Sequence, residues 1–112
     1  MTARSDIVDA LKTVPELAPT ATMPDNIVAG HAWPAWASTE PLNRCAAVIT
    51  WYVFVALPAA STASTVDAAD DLVDDVASAL ATVGKVIRWE PWRIPLEPSQ
   101  QGIPVVRYTM EV

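Results

Sequence analysis

The chain has 112 residues, of which 52% are hydrophobic and 18% charged, and its formal net charge is -6. This length suits one domain, residues 1–112, with its own core, and it leaves no room for a second catalytic domain. The acidic balance argues against ordinary nucleic-acid binding, which needs clustered Lys and Arg. The charged fraction lies below the roughly 25% of ordinary soluble domains, so we expect more apolar surface than one small core hides.

The N-terminus predicts neither export nor a membrane anchor. Asp6 and Asp9 lie where a signal peptide needs its apolar region. The apolar run at residues 45–57 is too short for a membrane-spanning helix, which needs about 20 residues. Cys45 is the single cysteine and has no internal disulfide partner, so we interpret it as a small buried hydrophobe. We expect the protein to be made and folded in the cytoplasm.

Four segments are predicted before the centre of the chain. Residues 5–14 have a serine N-cap and apolar residues at helical spacing, and Pro15 ends this short helix. An extended segment is predicted near residues 20–23. Residues 26–36 predict a strand whose glycine and proline indicate a bulge or an edge position, and residues 37–44 predict a linker.

Residues 45–57 predict a central strand with two apolar faces. A strand with one face in water alternates between apolar and polar residues, whereas this one needs cover on both sides. The cover must come from helices, from other strands or from other copies of the molecule. The two faces carry Ala47, Ile49, Trp51, Val53 and Val55, and Val48, Thr50, Tyr52, Phe54 and Ala56.

Residues 65–83 predict the best helix of the chain. Ser64 is the expected N-cap, and Gly84 follows the last turn. An apolar stripe that includes Leu72 indicates that the helix lies across one face of the sheet. Its other faces carry Asp67, Asp70, Asp71, Asp74 and Asp75.

Two strands are predicted to complete the chain as a hairpin. Residues 85–94 are interrupted at Pro91, which indicates an edge or bulged strand. Residues 103–112 alternate, which is typical of a strand with one wet face. The predicted architecture is an α+β domain, with a mostly antiparallel sheet of about four strands, one long acidic amphipathic helix on one face and a short N-terminal helix.

No residue pattern predicts catalysis, a cofactor or a metal. Asp70, Asp71 and Asp74 form a DDxxD pattern of the kind that holds Mg2+ against a diphosphate, but no Lys and Arg cluster accompanies it. A solvated helix face explains the same aspartates, and an acidic docking or lumen-facing surface is the third interpretation. His31 is the single histidine, and we interpret it as a turn or interface residue.

Five tryptophans are many for so short a chain. Trp51 belongs to the predicted core. The other four flank prolines in irregular or edge segments, and Trp is enriched where surfaces bury against partners. They either complete one core or pack between subunits, and we favour the second interpretation. The candidate interface residues are Trp33, Trp36, Trp89 and Trp92.

The chain resembles the small tail terminator proteins of long-tailed phages and prophages of actinobacteria. The resemblance covers nearly the whole chain, in the order of its elements and in three segments. These are GHAWPAW at residues 30–36, TWYVFVALP at residues 50–58 and the C-terminal YTMEV.

This resemblance implies a non-enzymatic virion protein without a cofactor. It implies a homohexameric ring that caps the tail tube, stops tube polymerisation and joins the tail to the head-to-tail connector protein at the head-proximal end. DNA would pass through the ring without specific binding. The alternative is a head-to-tail stopper or adaptor, and a small acidic enzyme or binding module is the alternative from another class.

Overall fold

Two helices lie on one face of a five-stranded sheet in the computed structural model. The structure describes residues 3–25, 27–28, 30–44, 46–56, 63–94 and 103–112, with the backbone alone at 63–69 and 103–104. The elements in chain order are α1 (Ala3–Leu11), β1 (Ala18–Pro19), β2 (His31–Pro41), β3 (Ala47–Val55), α2 (Ala63–Leu80), β4 (Lys85–Ile94) and β5 (Ile103–Glu111).

The sheet is mixed, with the strand order β1-β2-β3-β5-β4. All pairs are antiparallel except β1 with β2, where Ala18 and Pro19 run parallel to His31 and Ala32. The prediction of a mostly antiparallel sheet of about four strands with one long helix is therefore wrong. A two-residue strand has no alternation to detect, and its pairing depends on how the chain after α1 folds back onto β2.

The position of β2 also differs from the prediction. The strand begins at His31 rather than at residue 26 and continues to Pro41, through the segment that was predicted as a linker. A bulge between Trp36 and Ser38 shifts the register with β3, and the ladder then continues to Pro41. The prolines that indicated a break are tolerated because β2 has only the short β1 as its outer neighbour.

The helices have different ends from those predicted. α1 ends at Leu11, before Pro15, because residues 12–16 form turns. α2 begins at Ala63, so Ser64 lies within the helix and is not its N-cap. Gly84 does not cap the helix with a positive φ. It lies against β5 instead, where a Cβ atom would overlap the carbonyl oxygen of Glu111.

Both helices cover the same face of the sheet. α1 contacts β2, α2 contacts β4, and the two helices contact each other. Strand residues of β3 and β5 with alternate numbers form the other side of this core. The buried cluster contains Ile7, Leu11, Val14, Ala32, Trp51, Val53, Val55, Leu72, Val76, Leu80, Val106, Tyr108 and Met110.

Contrary to the prediction, β5 has no solvent-exposed face along most of its length. Val105 and Thr109 are buried, and the Arg107 side chain is 12% exposed. The residues that neighbouring strands place beside them, described below, account for this burial. β5 ends at Glu111, and Val112 is exposed.

Candidate interaction surface

No helix within the described part of the chain lies on the second face of the sheet, which we call the open face. The central strand was expected to need cover on both faces, and α1 joins α2 instead of closing the second one. Cross-strand pairing shows which side chains share this face. They include Trp33 opposite Phe54, Tyr52 opposite Thr109, Glu90 opposite Arg107 and Trp92 opposite Val105.

One end of the open face is closed by a small apolar cluster. The ring of Trp33 stacks on Phe54 with centroids 5.6 Å apart and an interplanar angle of 28°. Ala56 and Val105 are buried in the same cluster. Trp33 is 2% exposed, so this candidate interface residue is placed inside the subunit.

Arg107 organises the middle of the open face. Its guanidinium carbon lies 3.8 Å from the ring centroid of Trp92 and 4.4 Å from that of Tyr52. The Nη2 atom donates a 2.6 Å hydrogen bond to Oε1 of Glu90. Arg88 Nε lies 3.8 Å from the same carboxylate oxygen. Cation–π contacts combined with a charge-assisted hydrogen bond hold both aromatic rings around the cation.

The pKa of Glu90 lies below its ordinary value of 4.5, first because Arg107 hydrogen-bonds its carboxylate. The positive charges of Arg107 and Arg88 lower the pKa further, whereas desolvation opposes the shift. The arrangement therefore keeps Glu90 ionised and paired to the stacked guanidinium.

The outer strand β4 displays large apolar side chains on both faces of the sheet. Trp89 lies on the helix side, 5.9 Å from the ring centroid of Tyr108, and is 45% exposed. Trp92 lies on the open face and is 43% exposed. Ile87, at the bulge between Val86 and Arg88, is also exposed. Together they form an apolar edge, which is the usual mark of a contact surface.

Trp36 lies on the other side of the sheet, in β2. It is 58% exposed, and its Nε1 atom donates a 2.9 Å hydrogen bond to Oγ1 of Thr39 across the bulge. Its indole plane is thus held by a polar contact while most of the ring faces outward. The four candidate tryptophans therefore divide into Trp33, which is buried, and three that are exposed on two opposite strands.

The aspartates of α2 lie on the solvent side of the helix. Asp70, Asp71, Asp74 and Asp75 are exposed, and the side chain of Asp67 lies outside the described residues, as does Cys45. Among the described residues, no group of three or more His, Cys, Asp and Glu side chains is arranged to hold a metal ion.

Two polar residues that resemble catalytic groups have structural partners. The Nδ1 atom of His31 accepts a 3.3 Å hydrogen bond from the backbone N–H of Val28, at the turn before β2. The hydroxyl of Tyr108 donates a 2.8 Å hydrogen bond to the carbonyl of Val73 in α2. Burial, followed by the negative charge of Asp74, raises the pKa of Tyr108.

Sequence reasoning missed the cluster around Arg107. It placed Arg107 on a wet face and gave Glu90 no role. The available signal was the two-residue spacing in each strand, which puts Glu90 and Trp92 on one face of β4 and puts Arg107 and Thr109 on one face of β5. Which pairs meet depends on the register between strands, and that register is set by the three-dimensional fold.

The comparisons with known proteins identify no family. No protein-family model matches the chain, and no curated protein matches it. In the described part of the chain, no helix is long and apolar enough to cross a membrane.

Proposed function

We propose that this chain is a tail terminator subunit that assembles into a ring, caps a phage tail tube and joins the tail to the head. The observation that carries the proposal is that exposed tryptophans lie on two strands, β2 and β4, which β3 and β5 separate in the sheet. Trp36 lies on β2, whereas Trp89 and Trp92 lie on β4. A ring joins two different surfaces of each subunit, so each subunit needs two separate contact surfaces on opposite sides of its sheet.

The open face of the sheet supports the same proposal, since no helix of the described residues covers it. Tyr52, Phe54, Glu90 and Arg107 on this face are partly exposed, and Trp92 is exposed. The Cα radius of gyration is 14.6 Å, whereas about 13 Å is usual for a compact chain of this length. A subunit that completes its packing in an assembly has both properties.

The specific role comes from the sequence resemblance. The GHAWPAW segment contributes residues 31–36 to β2, and the TWYVFVALP segment contributes residues 50–55 to β3. By that resemblance the ring is a hexamer, and its partners are the tail tube protein and the head-to-tail connector. The net charge of -6 suits a passage for DNA, because like charge keeps a polyanion from adhering.

Solution mass and negative-stain microscopy test the ring. We expect the purified protein, alone or with the tail tube protein, to form closed rings of uniform size. Trp36→Ser and Trp89→Ser should each shift the population towards monomer. Leu42→Ser is the matched control, because Leu42 is also a large exposed apolar residue but belongs to neither tryptophan patch. A protein that stays monomeric with the tube protein present contradicts the proposal.

Deletion of the gene from its phage separates a terminator from a stopper. Loss of a terminator should give overlong tails or tails without heads, because nothing ends polymerisation of the tube. Tails of normal length beside heads that leak DNA would identify a stopper instead.

A further inference from the structure

Two strands of the sheet, β2 and β4, carry a proline in mid-strand. Pro34 lies in β2 and Pro91 lies in β4. Each proline has tryptophans within two residues, in the segments WPAW and WEPW. The backbone of each proline points either towards a neighbouring strand or towards the edge of the sheet. This direction determines whether that edge can add a strand.

On β2 the backbone of Pro34 faces outward. The carbonyls of Gly30 and Ala32 accept hydrogen bonds from the β1 side, whereas the carbonyl of His31 accepts from the β3 side. Backbone groups of an antiparallel strand alternate between its two neighbours, so residue 34 points away from β3. The Pro34 carbonyl accepts a 3.2 Å hydrogen bond from Nη1 of Arg4. At Pro34 this edge therefore has no N–H donor, and its carbonyl acceptor already has a hydrogen-bond partner.

On β4 the backbone of Pro91 also faces outward. The ladder pairs Pro91 with Val106 and Arg93 with Pro104. Proline has no N–H to donate, so both pairs occupy the positions of an antiparallel ladder that lack mutual hydrogen bonds. The backbone groups of Trp89, Pro91 and Arg93 consequently point away from β5, to the side where no other described strand pairs with β4.

Pro91 thus removes the middle donor of the three that an added strand would use. Strand addition requires alternate N–H and C=O groups along the edge, and proline is a common device against it. The side chains around Pro91 remain accessible. Trp89 and Trp92 lie on opposite faces of the sheet, and a surface groove of about 350 Å³ beside Trp92 is lined by Pro91, Arg93 and Val105.

We propose that the β4 edge binds a second copy of this chain through the Trp89 and Trp92 side chains, and that Pro91 prevents the same edge from adding a strand. The choice of partner rests on the proposed function. Charge favours it, because β4 carries three of the seven Lys and Arg residues of an acidic chain. A second copy presents exposed aspartates at positions 70, 71, 74 and 75 of α2 to this basic edge.

The blocking role of Pro91 has a structural consequence for assembly. Side-chain contacts between two different patches close into a ring when the rotation between subunits allows it. Backbone pairing of one β4 edge with the β4 edge of a second copy uses up both edges, so it gives a two-fold dimer without the head-to-tail contact of a ring. Pro91 therefore keeps the β4 edge available for the ring contact.

Pro91→Thr tests this role by restoring an N–H at the edge. We expect analytical ultracentrifugation to show dimers of this variant in place of the larger rings of wild type. Hydrogen exchange at the amide of residue 89 should be slower than in wild type, because this edge amide becomes paired. Pro15→Thr is the control, since Pro15 is exposed in the turns after α1, and it should behave as wild type.

Further variants separate the outcomes. Trp92→Ser should lower wild-type association but leave the dimers of Pro91→Thr in place, because those dimers form through the backbone. Pro91→Ala restores the same N–H with a smaller side chain and replaces Pro91→Thr if circular dichroism shows that the latter is unfolded. Mass and exchange equal to wild type would overturn the role of Pro91. A monomeric wild type would contradict the proposed function. The role of Pro91 is judged separately, from the difference between each Pro91 variant and wild type.

Discussion

Arg107 extends from β5 across the open face, where Trp92 and Tyr52 lie on its guanidinium and Glu90 accepts its hydrogen bond. A lysine has no planar group to stack on these rings and no rigid fork for the carboxylate, so it would not be an equivalent replacement. The contact orients Trp92, one of the exposed aromatic residues of the β4 edge. Residue-scale changes here should therefore alter both stability and association.

The ion pair of Glu90 predicts a pH dependence of stability. The pKa of Glu90 is lower in the folded protein than its ordinary value of 4.5, so its ionised form stabilises the folded state. This contribution is complete above the unfolded pKa and is lost as the pH falls through the folded pKa. Glu90→Gln should reduce the free energy of unfolding in urea at neutral pH and have less effect at an acidic pH, where Glu90 is increasingly protonated.

The control for this prediction is Glu40→Gln on the exposed end of β2. It should change the free energy of unfolding little at either pH, because exposed side chains without special contacts contribute little. A Glu90→Gln effect of equal size at both pH values would contradict the electrostatic origin.

At the scale of elements, patterns of alternation and spacing predicted β4 with its observed bounds and placed α2 on the sheet. Two features escaped prediction. Ala18 and Pro19 form a strand without any periodic signal, and residues 37–41 continue β2 although Ser, Thr, Glu and Pro are typical of a turn. Pairing with a neighbouring strand decided both, and strand pairing is not local in sequence.

The same limit applied to the candidate surface. Tryptophan content and the adjacent prolines indicated contact residues, and three of those residues are exposed. Burial of Trp33 follows from its position opposite Phe54, which depends on the β2–β3 register. The Arg107 cluster depends in the same way on the β4–β5 register. Residue types were informative, but their neighbours across strands were not predictable.

Packing of α2 on the sheet predicts a large effect of Leu72→Ala. The Leu72 side chain is buried against the core, and its truncation leaves a cavity that the surroundings only partly fill. We expect the free energy of unfolding to fall by roughly 2 to 5 kcal/mol. Asp71→Ala, one residue away on the exposed side, should change it by about 0.5 kcal/mol or less. Urea denaturation of both variants provides the comparison.

Close approach of Gly84 to β5 predicts a second stability effect. A methyl group at this position would overlap the Glu111 carbonyl oxygen, which is backbone and cannot rotate away. Gly84→Ala should lower the free energy of unfolding by about 1 to 3 kcal/mol, as for other overpacking substitutions. Ala81→Gly, in the exposed turn after α2, is a control for the change in backbone freedom. Equal stability of Gly84→Ala and wild type would contradict the contact.

On the scale of the whole molecule, charge is divided between two regions. Lys85, Arg88 and Arg93 lie on β4, whereas the exposed face of α2 is acidic. A subunit with two unlike surfaces is suited to head-to-tail contacts. The open face and the two opposite tryptophan patches agree with this arrangement, so the assembly, rather than a pocket, is where we expect the function of this chain to reside.

The net charge of -6 predicts that the assembled protein does not bind duplex DNA. Affinity for DNA grows with the number of phosphates neutralised by Lys and Arg, and an acidic chain repels the polyanion instead. In a gel mobility assay at low salt, we expect no retardation at any protein concentration. Retardation that disappears in higher salt would show that the basic β4 edge contacts phosphates and would argue against a passive passage.

The arrangement of strands also has a consequence for how fast the chain reaches its native state. β2 with β3, and β4 with β5, are neighbours in sequence, but the seam between β3 and β5 joins residues as distant as Thr50 and Glu111. Closing that loop before its contacts form is entropically unfavourable, so the seam should limit the refolding rate. Stopped-flow refolding should show Val53→Ala slowing folding more than it speeds unfolding, with the reverse for Ala10→Gly in α1.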